Sequence, residues 1–255
     1  MSDPANPAST RMPPAPRTPP EPPASAVPAP IVPDAVADGG IGAAVVADPR
    51  GTVDVLVPYV TERQPGDFVR LFWGASARPV AEALVEDDGD LLVPVPCKAV
   101  VEAGEGELTV FYDLRAASTQ EWVRSAETYV RVKFSVPGEP PPVSDEPELN
   151  SELPGPHVSS GIGGGWRAVG EGVEVRIEPY VNMAGGDTIT LAWGSRELTG
   201  TLGPDEVGRA MVFRVDDETI AEAGYGGIPV RYSIRDLAGN WSLWSTPTVV
   251  AVDAP

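Results

Sequence analysis

The side chains able to do acid–base or metal chemistry are almost all carboxylates. Asp and Glu number 37 among 255 residues, against one histidine, His157, and one cysteine, Cys97. A single cysteine excludes an intrachain disulfide and a cysteine-based zinc site, and a single histidine excludes any site that needs two. No Gly-x-Ser-x-Gly motif occurs, and His157 has no nucleophile motif near it. We therefore expect a protein that is not an enzyme.

One acidic loop offers hard oxygen ligands for calcium. Asp87, Asp88 and Asp90 belong to the sequence Asp-Asp-Gly-Asp, and calcium prefers carboxylate oxygens. The loop has neither the EF-hand spacing nor a glutamate at the bidentate position. A solvated acidic turn explains the same residues, so calcium is kept only as the alternative, and no cofactor is expected.

Charge and hydropathy limit the partners. The formal net charge is −19 at pH 7, whereas a surface that follows nucleic-acid phosphates needs clustered basic residues. No apolar run approaches the ~20 residues of a membrane span, and proline interrupts every candidate apolar core near the N-terminus. We expect no nucleic-acid partner, no membrane insertion and no Sec signal peptide.

These side chains must be positioned by a stretch that occurs twice. Residues 53–74 read VDVLVPYVTERQPGDFVRLFWG and residues 173–194 read VEVRIEPYVNMAGGDTITLAWG. In both copies apolar residues alternate with polar ones on either side of a turn, which predicts two β-strands. The shared landmarks are Pro58-Tyr59 and Pro179-Tyr180, Gly66-Asp67 and Gly186-Asp187, and Trp73-Gly74 and Trp193-Gly194. We interpret the protein as a duplicated β unit.

The composition divides the chain into four parts. Short strands separated by turn residues predict an all-β protein of antiparallel sandwiches, with no room for crossover helices. Proline-rich and acidic segments flank them and are expected to stay outside the folded units. The parts are a disordered proline-rich tail (1–26), a first sandwich (27–134), an acidic proline-rich linker with few cross-domain contacts (135–152), and a second sandwich (153–255).

The second unit carries a recognisable pattern. The segments PYVNMAGGDTITLAWG and RYSIRDLAGNWSLWS resemble tandem bacterial immunoglobulin-like repeats of large proteobacterial, especially pseudomonad, surface and secreted proteins. The resemblance covers both units and implies two immunoglobulin-like sandwiches with a binding, spacer or adhesive role. Trp73 and Trp193 look like the core tryptophan of such a sandwich. The first unit departs between Arg115 and Arg124, where no Ala-Gly-Asn turn occurs, so its last hairpin is left unassigned.

Comparison of the repeats predicts a binding face on the first unit. Residues that match between the repeats should face the core, and the alternate positions should face outward. In the second unit the outward positions are Thr188, Thr190 and Ala192, an ordinary wetted surface. In the first unit they are aromatic or basic, and we expect them to form one exposed interface. The residues are Phe68, Arg70, Phe72, Phe111, Tyr129, Arg131 and Lys133.

The expected function is non-enzymatic. Tandem modules of this kind predict protein–protein interaction or adhesion, with another protein or a surface ligand as partner. We expect a place at or beyond the cell surface, reached by a non-Sec route, with a cytoplasmic location as the alternative. A second interpretation is a carbohydrate-binding module in which Trp241 or Trp244 stacks on a sugar. A third is an accessory subunit of a secreted toxin.

Overall fold

The computed structural model describes residues 27–60, 63–140, 146–159 and 172–253. The proline-rich tail, residues 1–26, lies outside the described residues, so its expected disorder stays a prediction. The described chain is predominantly β-structure, as the alternating pattern predicts.

The first half of the chain forms a β-sandwich. Its strands are β1 (Thr52–Val57), β2 (Phe68–Trp73), β3 (Ala81–Leu84), β4 (Leu91–Pro96), β5 (Gly106–Arg115), β6 (Trp122–Arg124) and β7 (Thr128–Val132). One sheet pairs β1 with β4, and the other has the order β3-β2-β5-β6, with β7 also paired to β5. All of these pairs are antiparallel.

The second half repeats this arrangement. Its strands are β8 (Leu149–Asn150), β9 (His157–Val158), β10 (Val173–Ile177), β11 (Thr188–Trp193), β12 (Arg196–Thr201), β13 (Met211–Val215), β14 (Gly226–Arg235), β15 (Trp241–Ser245) and β16 (Thr248–Val252). One sheet has the order β13-β10-β9, and the other has the order β12-β11-β14-β15-β8, with β16 paired to β14.

Strand register is the same in both sandwiches. Trp73 pairs with Val110 across β2 and β5, and Trp193 pairs with Val230 across β11 and β14. Both tryptophans are fully buried, in separate clusters that join the two sheets of each half. The expectation that they pack in the cores is confirmed.

Short helices connect strands of the described chain, although the sequence predicts no crossover helices. In addition to α1 (Pro33–Asp38), each half has one seven-residue helix, α2 (Cys97–Ala103) in the first and α3 (Asp217–Ala223) in the second. Each of these two carries the chain from one sheet of its sandwich to the other, so it is not the crossover of a parallel sheet. The helix α3 begins where the Asp216 carboxylate accepts the Thr219 N–H, an N-cap that offsets its short length.

The segment expected as a linker, residues 135–152, also differs. Leu149–Asn150 forms the short strand β8, which runs parallel to β15 of the second sandwich. The buried Asn150 amide donates hydrogen bonds to the carbonyls of Gly138 and Ser242, both at 3.0 Å. Through these hydrogen bonds and the pairing of β8 with β15, the carboxyl half of the segment is held as part of the second sandwich.

None of the helices in the described ranges has the length and apolar composition that a bilayer crossing requires.

Candidate ligand-binding face

The outer face of the first sandwich is aromatic and basic because of strand alternation. Val69, Leu71 and Trp73 of β2 point into the core and are fully buried, so Phe68, Arg70 and Phe72 lie on the opposite face. Across β2 and β5, Phe68 pairs with Arg115, Arg70 with Asp113, and Phe72 with Phe111.

One cluster on this face is built on two stacked rings. Phe72 and Phe111 stack with centroids 4.9 Å apart and an interplanar angle of 9°. Arg124 of β6 lies over Phe111, with its guanidinium carbon 4.2 Å from the ring centroid, and Asp113 holds Arg124 by an ion pair of 2.9 Å. This packing leaves Phe72 only 9% exposed, less than an outward position predicts. The expected exposure of Phe72 is therefore wrong, because its neighbours on the face cover the ring.

A second cluster surrounds Arg115. Phe68 meets Trp122 edge to face at 6.4 Å between centroids. The Arg115 guanidinium carbon lies 5.5 Å from the centre of Phe68 and 5.3 Å from that of Trp122. Arg70 lies 4.4 Å from the centre of Trp122 and pairs with Glu82 at 3.0 Å.

Arg115 differs from its neighbours in lacking an acidic partner. Within the described ranges it forms no ion pair, and its Nε atom is buried without a hydrogen-bond acceptor. Arg70 and Arg124 each have a carboxylate beside them. A buried guanidinium N–H without an acceptor is a costly arrangement.

We call Phe68, Arg70, Phe72, Phe111, Arg115, Trp122 and Arg124 the aromatic–arginine face. Sequence reasoning missed Arg115, Trp122 and Arg124 because the hairpin between β5 and β6 lacks the Ala-Gly-Asn turn of the second unit. Arg115 pairs with Trp122, as Arg235 pairs with Trp241. An arginine followed by a tryptophan at the end of both repeats was therefore a signal in the sequence.

The second sandwich has an equivalent cation–π contact, but the cation and the ring have changed places. The hydroxyls of Ser125 and Ser245 accept the backbone N–H of Tyr112 and Tyr232, each at 3.0 Å, which makes the two serines equivalent. The preceding residues are Arg124 and Trp244, and they face Phe111 and Arg231 respectively. Arg231 lies 4.5 Å from the ring centre of Trp244. The cation–π contact is thus kept while the strands that carry cation and ring are swapped.

The last strand of the first sandwich extends the face only in part. Tyr129 is 64% exposed and pairs with Thr109, and the exposed Arg131 pairs with Glu107. Lys133 departs from the expected arrangement. Its ammonium lies 3.1 Å from the Asp236 carboxylate, and the two side chains are 19% and 1% exposed. Lys133 is therefore engaged by the second sandwich and does not belong to the free face.

Lys133 belongs to a polar joint between the sandwiches, formed by Asp38–Ala43 and Lys133 on one side and Asp236–Asn240 on the other. The Asn240 side chain accepts the Ala43 N–H at 2.7 Å and donates to the Lys133 carbonyl at 2.9 Å. A Cβ on Gly42 would lie 2.7 Å from the Asn240 oxygen. Glycine is required there because the Asn240 side chain and the Ala238 carbonyl oxygen, the latter 2.8 Å from the same Cβ, approach its backbone so closely.

A cleft of about 400 Å³ opens beside the joint, lined by groups that include Arg131, Lys133, Asp187 and Asp236. Asp187 is buried there. One carboxylate oxygen accepts the Tyr180 hydroxyl and the Ala184 N–H, both at 2.9 Å, and the other oxygen has no hydrogen-bond partner in the described part of the chain. Burial raises the pKa of Asp187 above its usual value, although the Lys133 cation opposes the rise.

The two tryptophans considered for sugar binding differ in solvent exposure. Trp241 is 43% exposed, whereas Trp244 is half-buried beneath Arg231. Of the two, Trp241 offers an open indole. Its partner across the strands, Arg235, is held by Asp38 at 2.7 Å.

The other chemistry-bearing residues are dispersed. Asp87, Asp88 and Asp90 are exposed, and two of their oxygens accept the N–H of Gly89 and of Tyr59. No group of three or more His, Cys, Asp or Glu side chains suited to a metal ion occurs among the described residues. His157 is exposed, and Cys97 is buried with the pKa of its thiol raised by burial.

No protein-family profile matches the chain, and no curated protein matches it. Several solved structures match it in part. One comes from a 1.5-MDa bacterial ice-binding adhesin, with 16% identity and TM-score 0.38 over 84% of this chain and 60% of that one. One is a Ca²⁺-stabilised adhesin of an Antarctic bacterium, with 18% identity and TM-score 0.38 over 91% and 50%. One is a tetra-tandem repeat from the extending region of a large adhesion protein, with 16% identity and TM-score 0.34 over 82% and 47%. This chain spans 60% or less of each of them.

Proposed function

We propose that the protein is a non-catalytic adhesive module that binds a protein or surface ligand through the aromatic–arginine face. The second sandwich serves as a spacer. Binding takes place at or beyond the cell surface, as the resemblance to bacterial immunoglobulin-like repeats implies. The observation that carries the proposal is Arg115, a cation set between the rings of Phe68 and Trp122 with a buried N–H that lacks an acceptor.

The face has the composition of a binding interface. Aromatic residues and arginine are enriched at protein interfaces and dominate their energetics. The protein as a whole has a net charge of −19, so arginines gathered on one surface stand out against the rest of it. They select a ligand that combines carboxylates with apolar or ring-shaped groups.

The second sandwich supplies an internal control for this argument. It has the same strand register, yet Thr188, Thr190 and Ala192 stand where the first has Phe68, Arg70 and Phe72. The fold therefore does not require aromatic residues at these positions. Their presence in one repeat supports a role other than stability.

The test measures retention of beads coated with the full chain on a surface coated with a glutamate–proline copolymer. Trp122→Ala and Arg115→Gln should each weaken retention, by about 30-fold for a hot-spot side chain worth ~2 kcal/mol. The matched control is Trp241→Ala, which removes the equivalent indole of the other sandwich. Unchanged retention of both first-sandwich variants contradicts the proposal.

Glycan binding through Trp241 is the second candidate, favoured by the exposed indole. A solvent-facing ring is suited to stack on a sugar face. The same beads are tested on a polygalacturonate coating. Loss of retention with Trp241→Ala and none with Trp122→Ala identifies the glycan function instead.

A further inference from the structure

The described chain begins beside the aromatic–arginine face. Val27 is buried, and its carbonyl accepts the Ala126 N–H at 2.9 Å. The Thr128 hydroxyl donates to the carbonyl of Pro30. The described chain therefore begins at Val27 beside the connection between β6, which carries Trp122 and Arg124, and β7, which carries Tyr129.

The adjoining tail sequence has a period of three. Residues 13–26 read PPAPRTPPEPPASA, with prolines at positions 13, 16, 19 and 22. A polyproline II helix has three residues per turn, so in that conformation these four prolines form one continuous ridge. Glu21 lies on a different edge of the same helix.

We propose that residues 13–26 dock on the aromatic–arginine face of their own chain, with the proline ridge on the rings and Glu21 beside Arg115. The inference rests on the proposed function, since it takes this face to be a binding surface. Proline-rich segments characteristically bind aromatic-lined surfaces because their extended form is already ordered. The single acid of the segment matches the arginine that lacks one.

The chain is long enough for this contact. Glu21 precedes Val27 by six residues, which in polyproline II form span ~19 Å at ~3.1 Å per residue. Trp122 lies four residues from Ala126, or ~13 Å at ~3.3 Å per residue. Tethering gives the segment an effective concentration in the millimolar range, so a weak intrinsic affinity suffices. The tail then competes with external ligands for the face.

The experiment uses the full chain labelled with 5-fluorotryptophan, in which Trp122→Phe assigns the ¹⁹F resonance of Trp122. Replacing residues 13–26 by a Gly-Ser sequence of equal length should shift this resonance. Pro16→Ser, Pro19→Ser and Pro22→Ser together should reproduce the shift. The matched control is Pro14→Ser, Pro20→Ser and Pro23→Ser, which changes as many prolines but leaves the ridge intact and the resonance near its native position.

A synthetic peptide of residues 13–26, added to the Gly-Ser chain, should return the resonance toward its native position. A Glu21→Gln peptide should bind about two- to fivefold more weakly, the range of a single ion pair at a surface. The native resonance should be unchanged on dilution. A dependence on protein concentration identifies the tail of a second copy as the occupant and overturns the intrachain contact.

An unshifted Trp122 resonance in the Gly-Ser chain, with no response to the peptide, overturns the proposal altogether. Bead retention separates this failure from failure of the proposed function. The Gly-Ser chain should be retained several-fold better than the native chain on the glutamate–proline copolymer. Retention that depends on Trp122 without any tail effect leaves the binding face standing and removes only the tail.

Discussion

Single buried polar atoms show where each core is imperfect. Among the described residues, the indole N–H groups of Trp73 and Trp193 and the Tyr112 hydroxyl are buried without hydrogen-bond partners. Each such group loses its hydrogen bond to water and gains none in return, at a cost of about 1–3 kcal/mol. The cores therefore gain their stability from apolar packing, and removing the unpaired polar atom is favourable where the shape is kept.

Tyr112 gives the cleanest test because phenylalanine has the same ring. We expect Tyr112→Phe to stabilise the protein by about 1 kcal/mol, since the hydroxyl is buried without an acceptor. Urea unfolding at pH 7 measures the change. The control is Tyr180→Phe, which removes a hydroxyl that donates to Asp187 at 2.9 Å and should destabilise. A destabilised Tyr112→Phe protein contradicts this account.

The same variant has a pH signature with a definite sign. Burial raises the pKa of Tyr112 to about 12, while the Arg63 cation acts in the opposite direction. In the unfolded chain a tyrosine ionises near pH ~10. The stability linked to the protonated phenol is thus complete below pH ~10 and is lost as the pH rises toward ~12. The advantage of Tyr112→Phe should grow over that window.

At the scale of elements, the alternation of apolar and polar residues predicts the paired strands. It does not predict elements that depend on contacts between distant segments. The inward positions of β2 and β11 follow from their period of two. The strand β8 has two residues and is held by contacts with distant residues, including the bonds from Asn150 to Gly138 and Ser242, which no local pattern reveals. The helices α2 and α3 span only seven residues each, too few for a clear helical period.

The residues of the candidate site were predictable only where the two repeats could be compared. Phe68, Arg70 and Phe72 followed from comparison of the repeats, because both copies share one register. Trp122 and Arg124 did not, since β6 is three residues long and its turn has no counterpart. Alternation predicts an outward Lys133, yet its ammonium pairs with Asp236 of the other sandwich. Local periodicity carries no information about such a contact.

The turn before β11 contributes to the stability of the fold in a pH-dependent way. Asp187 holds this turn through the Ala184 N–H, but burial raises its pKa, with Lys133 lowering it and Asp236 raising it. A raised native pKa means that the stability linked to the protonated form is complete below the unfolded value of ~3.9 and is lost as the pH rises. The free energy of unfolding of Asp187→Asn should therefore rise relative to that of the native protein as the pH increases from 3. The difference between the two proteins should then level off.

Urea unfolding of both proteins between pH 3 and pH 7 gives this difference directly. The control is Asp205→Asn, which removes an exposed carboxylate and reports the effect of net charge alone. A difference for Asp187→Asn that follows that of Asp205→Asn at every pH contradicts the assignment to the buried turn.

At the scale of the molecule, the joint determines how the two sandwiches are held. The sequence predicted a linker with few contacts, whereas the structure places direct hydrogen bonds and ion pairs between the halves. They join Asp38 to Arg235, Ala43 to Asn240 and Lys133 to Asp236. These contacts are polar, and a polar interface opens when its pairing is broken, because water can replace the lost partners.

Lys133→Ala tests whether this joint holds the sandwiches together. The change leaves the Asp236 carboxylate, 1% exposed, without its cation. The Asp236 carboxylate keeps the hydrogen bonds from the Ala238 N–H, the Asn240 N–H and the Asn240 side chain, so losing the cation costs at most about 3–5 kcal/mol, the cost of a broken buried ion pair. Undocking of the sandwiches reduces that cost by exposing Asp236 to water. We therefore expect ¹⁵N relaxation to show shorter and unequal rotational correlation times for the two halves, with each core still folded. The control is Arg131→Ala, two residues earlier on the same strand face but exposed, which should tumble as the native protein does. A single native correlation time for Lys133→Ala would show that the remaining hydrogen bonds suffice to hold the joint.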